Sequence, residues 1–122
     1  MRVLHIFNEI NFSGAEIMYA EAAPIFQKQG FTLLALSTGK TKGNFHEQFI
    51  KNNIKVYHNP LPNSRFNLLK IYKYIIEFYK LVEKENVDII HIHRAKWYWL
   101  FAFCGFILKR KSIRTVHNVF VN

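Results

Sequence analysis

Val3-Leu4-His5-Ile6-Phe7, followed by Asn11-Phe12-Ser13-Gly14-Ala15-Glu16, is a short apolar run that passes through a glycine turn into a helix. A continuous run of this length suits a strand buried on both faces. Gly14 lets the backbone approach a ligand closely, and the new helix adds unsatisfied N–H donors and the positive end of its dipole. The turn therefore suits an anion, with phosphate as the natural guest. A single glycine equally fits a plain strand-to-helix turn, so the rest of the chain must decide.

Downstream the same rhythm repeats. Residues 15–29 have helical spacing, with Ile17, Met18, Ile25 and Phe26 on one broad face, a kink expected at Pro24 and Gly30 placed to end the helix. Residues 31–37 form a second apolar strand and 38–43 a polar loop. Asn44 and Glu47 have the spacing of an N-cap and its reciprocal partner, opening a short helix in which Phe45 and Phe49 face inward. A third strand covers 54–58, and the Pro- and Asn-rich residues 59–65 make a loop. Leu68, Tyr72, Ile75, Tyr79 and Val82 then recur at helical spacing, opposite a stripe of Lys70, Lys73, Glu77, Lys80 and Lys84. Residues 88–93 give a fourth strand, 95–109 an apolar, buried helix, and 112–117 a fifth strand.

Strands alternating with helices specify an α/β fold: a Rossmann-like parallel sheet of about five strands with helices on both faces. Right-handed crossovers favour the order 3-2-1-4-5. Ligands gather outside the carboxyl ends of such strands, near the reversal between strands one and four. That geometry collects residues 8–14, His93, Arg94 and His117 on one rim.

With 122 residues, half of them hydrophobic, the chain supports one core and no long disordered stretch. A formal charge of +9 favours anionic partners such as nucleotide phosphates, nucleic acid or an anionic membrane leaflet. Nucleic acid is disfavoured, because no reader motif accompanies the charge. Cys104 is the single cysteine and sits among apolar residues, which marks it as a packing residue and points to a reducing compartment. The apolar run at the N-terminus is too short for a secretory signal, so the expected location is the cytoplasm. The run from 97 to 108 falls short of the about 20 apolar residues that span a bilayer.

Three segments together resemble the N-terminal domain of the family 4 glycosyltransferases, which have the two-domain GT-B fold. Ser13-Gly14-Ala15-Glu16 resembles the family's Gly-Gly-Ala-Glu turn, Val87-Asp88-Ile89-Ile90-His91-Ile92-His93 its strand-four signature, and Arg114-Thr115-Val116-His117 its Thr-Val-His strand end. Ser13 replaces the first glycine, and its β-carbon either narrows the turn or demands ordinary backbone angles there, which makes the donor-phosphate contact less secure than in a double-glycine loop.

The resemblance implies that residues 1–122 are a partial N-terminal, acceptor-side domain, with the C-terminal nucleotide-sugar domain absent. It implies transfer of a sugar from a nucleotide-sugar donor to a glycan or lipid-linked acceptor, as in polysaccharide biosynthesis, with little activity unless a C-terminal GT-B domain is supplied in trans. His117 would be the catalytic residue beside the reacting sugar, and Gly14, Ser13, His93 and Arg94 would bind substrate. No cofactor is implied. Tyr72, Tyr74 and Tyr79 on the lysine-bearing helix, with Trp97, Tyr98 and Trp99, also suit peripheral contact with an anionic membrane at the inner face. The alternative function is a non-catalytic nucleotide or sugar-phosphate binding module that regulates a partner.

His91 and His93 alternate onto one side of their strand, a spacing that zinc sites use. No metal is expected, because no cysteine pair or third histidine is evidently grouped with them. Asp88 is the sole aspartate, which rules out an Asp-x-Asp metal motif. Glu16, in the first helical turn, is read as a partner of the helix dipole.

Overall fold

Alternate residues of the first strand point to opposite faces, and both faces are buried, so helices are needed on each side of the sheet. The computed structural model describes residues 1–63, 66–94 and 97–114. Its elements run β1 (Arg2–Phe7), α1 (Gly14–Lys28), β2 (Thr32–Ser37), α2 (His46–Lys51), β3 (Lys55–His58), α3 (Leu68–Lys84), β4 (Ile89–Arg94), α4 (Tyr98–Ile107) and β5 (Lys111–Arg114). All five strands are parallel, in the order β3-β2-β1-β4-β5. The expected topology is therefore the observed one.

Val3 and Phe7 of β1 pack with Ala20 and Ala23 of α1 and Phe49 of α2, while Leu4 and Ile6 pack with Phe78 and Val82 of α3 and Phe101 of α4. Each fully buried Phe, Leu or Ile contributes roughly 1.5–3 kcal/mol of transfer free energy. All four helices stop in the same way. Gly30, Asn53, Asn86 and Lys109 adopt positive φ, and the next residue donates to a carbonyl five positions back: Phe31 to Phe26, Ile54 to Phe49, Val87 to Val82 and Arg110 to Gly105. These bonds satisfy helix-end carbonyls before the chain enters the following strand.

Three helical readings need correction. The buried face of α1 is Glu16, Ala20 and Ala23, whereas Met18, Ile25 and Phe26 are exposed. Alanines win that face because they let the helix lie close to the sheet. In α3 the inward residues are Tyr74, Phe78 and Val82; Leu68, Tyr72 and Tyr79 face outward. The helix thus carries apolar residues on two sides, which misleads any count of periodic apolar positions. Finally, α4 is only half buried: Leu100, Phe101 and Cys104 point in, and Trp99, Phe103, Phe106 and Ile107 point out.

Asn44 does not cap α2, whose N-cap is Phe45 without a side-chain bond. Its Oδ1 instead accepts from Phe12 N–H at 2.8 Å, and its own N–H donates to Asn11 Oδ1 at 3.2 Å. Asn44 is thereby spent on holding the loop before α1. At the amino ends of the strands, Glu85 accepts from Arg2 and Lys55 at 2.7 and 2.8 Å and from the Tyr57 hydroxyl. These contacts hold Glu85 at the edge opposite the carboxyl rim.

Candidate functional site at the carboxyl rim

The loop after β1 is pinned before it reaches α1. Ile10 is buried, its N–H donates to Lys42 O and its carbonyl accepts from Phe45 N–H. Gly43, at φ +96°, crosses so close that a β-carbon would overlap the backbone of Ile10. These anchors deliver Ser13 and Gly14 to the start of α1. Ser13 is extended (φ −147°, ψ 167°), the ordinary geometry expected from its β-carbon. Its hydroxyl donates to Glu16 Oε2 at 2.6 Å instead of capping the helix. Glu16 is buried in the first turn, near the positive end of the helix dipole, and its other oxygen has no hydrogen-bond partner among the described residues. Gly14 is exposed, and a β-carbon there would meet no atom within 4 Å.

A cleft of about 340 Å³ opens over the carboxyl ends of β1 and β2, lined by Asn8, Glu9, Thr38, Lys40, Leu61 and Asn63. Its polar side chains suit hydroxyl-rich ligands. Thr41 donates through both N–H and hydroxyl to Glu9, which holds that carboxyl below its usual range.

Arg94 pairs through its backbone with Phe7, so it lies where β1 gives way to residues 8–13. His117 lies outside the described residues, as does the part of the expected fifth strand beyond Arg114. His93 is the next-to-last residue of β4, and its ring lies against Phe7, the last residue of β1. β4 carries a bulge there, since Ile6 pairs with Ile92 and Phe7 with Arg94. The His93 ring stacks on Phe7 at 4.5 Å and 7°, and its Nε2 is 2.8 Å from His5 Nδ1. His91, the register partner of His5, stacks on His93 at 4.0 Å.

A third histidine is therefore grouped with the β4 pair, contrary to the expectation from spacing. One potential ligand nitrogen from each of His5, His91 and His93 lies within 4.8 Å of the others. Burial, helped by the charges that protonation would place on His93 and His91, holds His5 well below the usual histidine value. Burial lowers His91 as well. Tyr19 of α1 covers His5 at 4.2 Å between ring centres, and burial raises its phenol. Alternation along β1 already put His5 on the face of Phe7, and the order of strands one and four put it beside His91. That combination was the available signal.

A doubly wound parallel sheet with a glycine-led helix at its carboxyl rim defines a Rossmann-like α/β domain. The model of Glycosyltransferase Family 4 matches residues 12–121, and the chain belongs to that family. Over 93 residues it is 23% identical to the capsular polysaccharide biosynthesis glycosyltransferase CapH of Staphylococcus aureus, covering 76% of this chain and 24% of CapH. A glycosyltransferase structure from Rickettsia africae superposes with TM-score 0.70 at 21% identity, over 99% of this chain and 31% of that one. MurG of Acinetobacter baumannii gives TM-score 0.69 at 16% identity, over 93% of this chain and 34% of MurG. These likenesses establish the fold. The chain spans about a quarter of CapH and about a third of each solved structure.

Proposed function

We propose that this chain is the acceptor-side part of a two-domain glycosyltransferase that moves a sugar from a nucleotide-sugar donor to a glycan or lipid-linked acceptor. The observation that carries the reading is the family match joined to an exposed, glycine-led helix N-terminus at the carboxyl rim. In this reading the Gly14 backbone, next to Ser13, faces the donor phosphate, where N–H groups and the helix dipole offset negative charge. Arg94 adds a fixed positive charge, and His93 orders the wall beside it. His117 stands by the reacting sugar: a neutral imidazole accepts from a hydroxyl, and a protonated one offsets phosphate charge. The polar cleft beside Lys40 receives the acceptor. A C-terminal GT-B domain, joined or in trans, supplies the nucleotide contacts.

The outer face of α3 supports an acceptor held at a membrane. Leu68, Leu69, Tyr72, Ile76 and Tyr79 are exposed, flanked by the exposed Lys70, Lys73, Lys80 and Lys84. An apolar stripe bordered by cations suits the surface of an anionic leaflet on the cytoplasmic side. Among the described residues, no helix is long and apolar enough to cross a membrane. CapH, named for capsular polysaccharide biosynthesis, is consistent with a surface polysaccharide as product.

The test combines the purified chain with the C-terminal domain of a family member and follows label from nucleotide sugars into lipid-linked acceptors. Transfer that requires both components supports the reading. Nucleotide-sugar binding without transfer, across a panel of such domains, would overturn it in favour of a regulatory binding module.

A further inference from the structure

We propose that His5, His91 and His93 bind one transition-metal ion of the zinc class through three imidazole nitrogens, leaving a fourth position open to the adjoining cleft. The inference is independent of the glycosyl-transfer reading. A tetrahedral ion with bonds of about 2.0–2.1 Å needs ligand nitrogens about 3.3 Å apart. The three here already lie within 4.8 Å of one another, and the His5–His93 pair, at 2.8 Å, has only to part slightly. Ligation also requires each ring plane to contain the ion, so the His91 and His93 rings, now stacked 25° apart, would have to turn about their side-chain torsions while the paired strands stay in register.

The backbone positions are fixed in advance. His5 and His91 are register partners on adjacent central strands, and the bulge in β4 sets His93 against Phe7 on the same face. Placement on paired strands gives ligand positions that a loop would not hold as well. The ion would stand where one histidine of the His5–His93 pair now donates its ring hydrogen to the other. That hydrogen passes to the second nitrogen of its own ring, so neutral imidazoles bind with no net change in protons.

Donor chemistry selects the class of metal. Three imidazoles without a carboxylate or thiolate suit Zn, Cu, Ni or Co, and do not suit Mg or Ca. Access is open, because the cleft beside the cluster, about 230 Å³ and walled by Tyr19, Phe26, Ile89 and Ile113, reaches solvent past the half-exposed Ile113. His91 and His93 are themselves only half buried. An ion there would tie β1 to β4 at the centre of the sheet.

The test uses the whole chain, stripped with chelator and titrated with ZnCl2 by calorimetry, with thermal unfolding followed in parallel. Expected are one zinc per chain and an unfolding midpoint that rises with zinc and not with MgCl2. His91→Ala and His93→Ala, checked for native circular dichroism, each weaken binding by at least about 10-fold, whereas His46→Ala and His58→Ala do not. Tetrahedral absorption from Co2+ disappears in the same two variants. A folded wild-type chain that takes up no zinc, or uptake unchanged in both His91→Ala and His93→Ala, would overturn the site.

Discussion

His5 Nδ1 and His93 Nε2 sit 2.8 Å apart although 88 positions separate them in the chain. His5 is buried, so removing its partner leaves a buried ring nitrogen with a lost hydrogen bond. In chelator, His93→Leu is expected to lower unfolding free energy by about 1–3 kcal/mol. The double variant His5→Leu/His93→Leu removes both polar groups from an apolar wall and should recover part of that loss. Urea unfolding of the full cycle checks the coupling, and strictly additive losses would show that the two rings act separately.

Glu85 gives the pH dependence. Bonds from Lys55 first, then Tyr57 and Arg2, hold its carboxyl at about 2, against an ordinary value of 4.5. Folding depresses this pKa, so its stabilisation is present above the unfolded value and disappears as pH falls from about 4.5 to about 2. Solvent screens Arg2 and Lys55, which are partly exposed, and reduces the contribution to about 1–2 kcal/mol. Glu85→Gln should therefore be less stable near neutrality and show a shallower loss through that acid window. Denaturant midpoints taken across the window measure both effects.

Sheet order was legible because β1 and β2 are short apolar runs and each crossover is long enough for a helix. Helix faces were less so. Tyr72 and Tyr74 differ by only two positions, yet Tyr74 is buried with its hydroxyl donating to Asn59 O at 2.7 Å, and Tyr72 faces solvent. Apolar residues surround α3 on two sides, so periodicity finds the helix and leaves its rotation open. The rim position of Gly14 followed from local pattern. The histidine cluster needed tertiary pairing, because His5 gains meaning only when β1 lies against β4.

Lys109 ends α4 at φ 58°, a left-handed conformation that costs an L-residue about 1–2 kcal/mol. Glycine removes that cost but is more flexible in the unfolded chain, offsetting about 0.5–1 kcal/mol. Lys109→Gly should stabilise by about 0.5–1 kcal/mol and keep the Arg110 to Gly105 bond. Lys111→Gly, two positions on and within β5, should do the opposite. Matched thermal unfolding curves separate the two.

The outer stripe of α3 predicts vesicle binding that depends on both its components. Leu69→Ser with Tyr72→Ser should abolish flotation with anionic vesicles and leave unfolding within about 0.5 kcal/mol, since both residues are exposed. Lys70→Glu with Lys73→Glu should weaken it as well, and raised salt should reproduce that loss in the wild type, each cation contributing about 1 kcal/mol. Binding that persists through both substitutions would assign the stripe another partner.

Gly14 and Gly43 give opposite expectations for the same substitution. A β-carbon at Gly43 would collide with the Ile10 backbone and sit at positive φ, so Gly43→Ala should cost several kcal/mol, on the order of a severe core lesion. At Gly14 a β-carbon meets nothing within 4 Å and φ is not positive, so Gly14→Ala should fold as well as the wild type or gain up to about 1 kcal/mol in helix propensity. Folding therefore gives no reason for a glycine at this position, and the proposed close approach of a donor phosphate to the first N–H groups would supply one. In the two-component transfer assay, Gly14→Val should raise KM for the nucleotide sugar while circular dichroism and unfolding stay native. An unchanged donor KM would remove the phosphate from this turn.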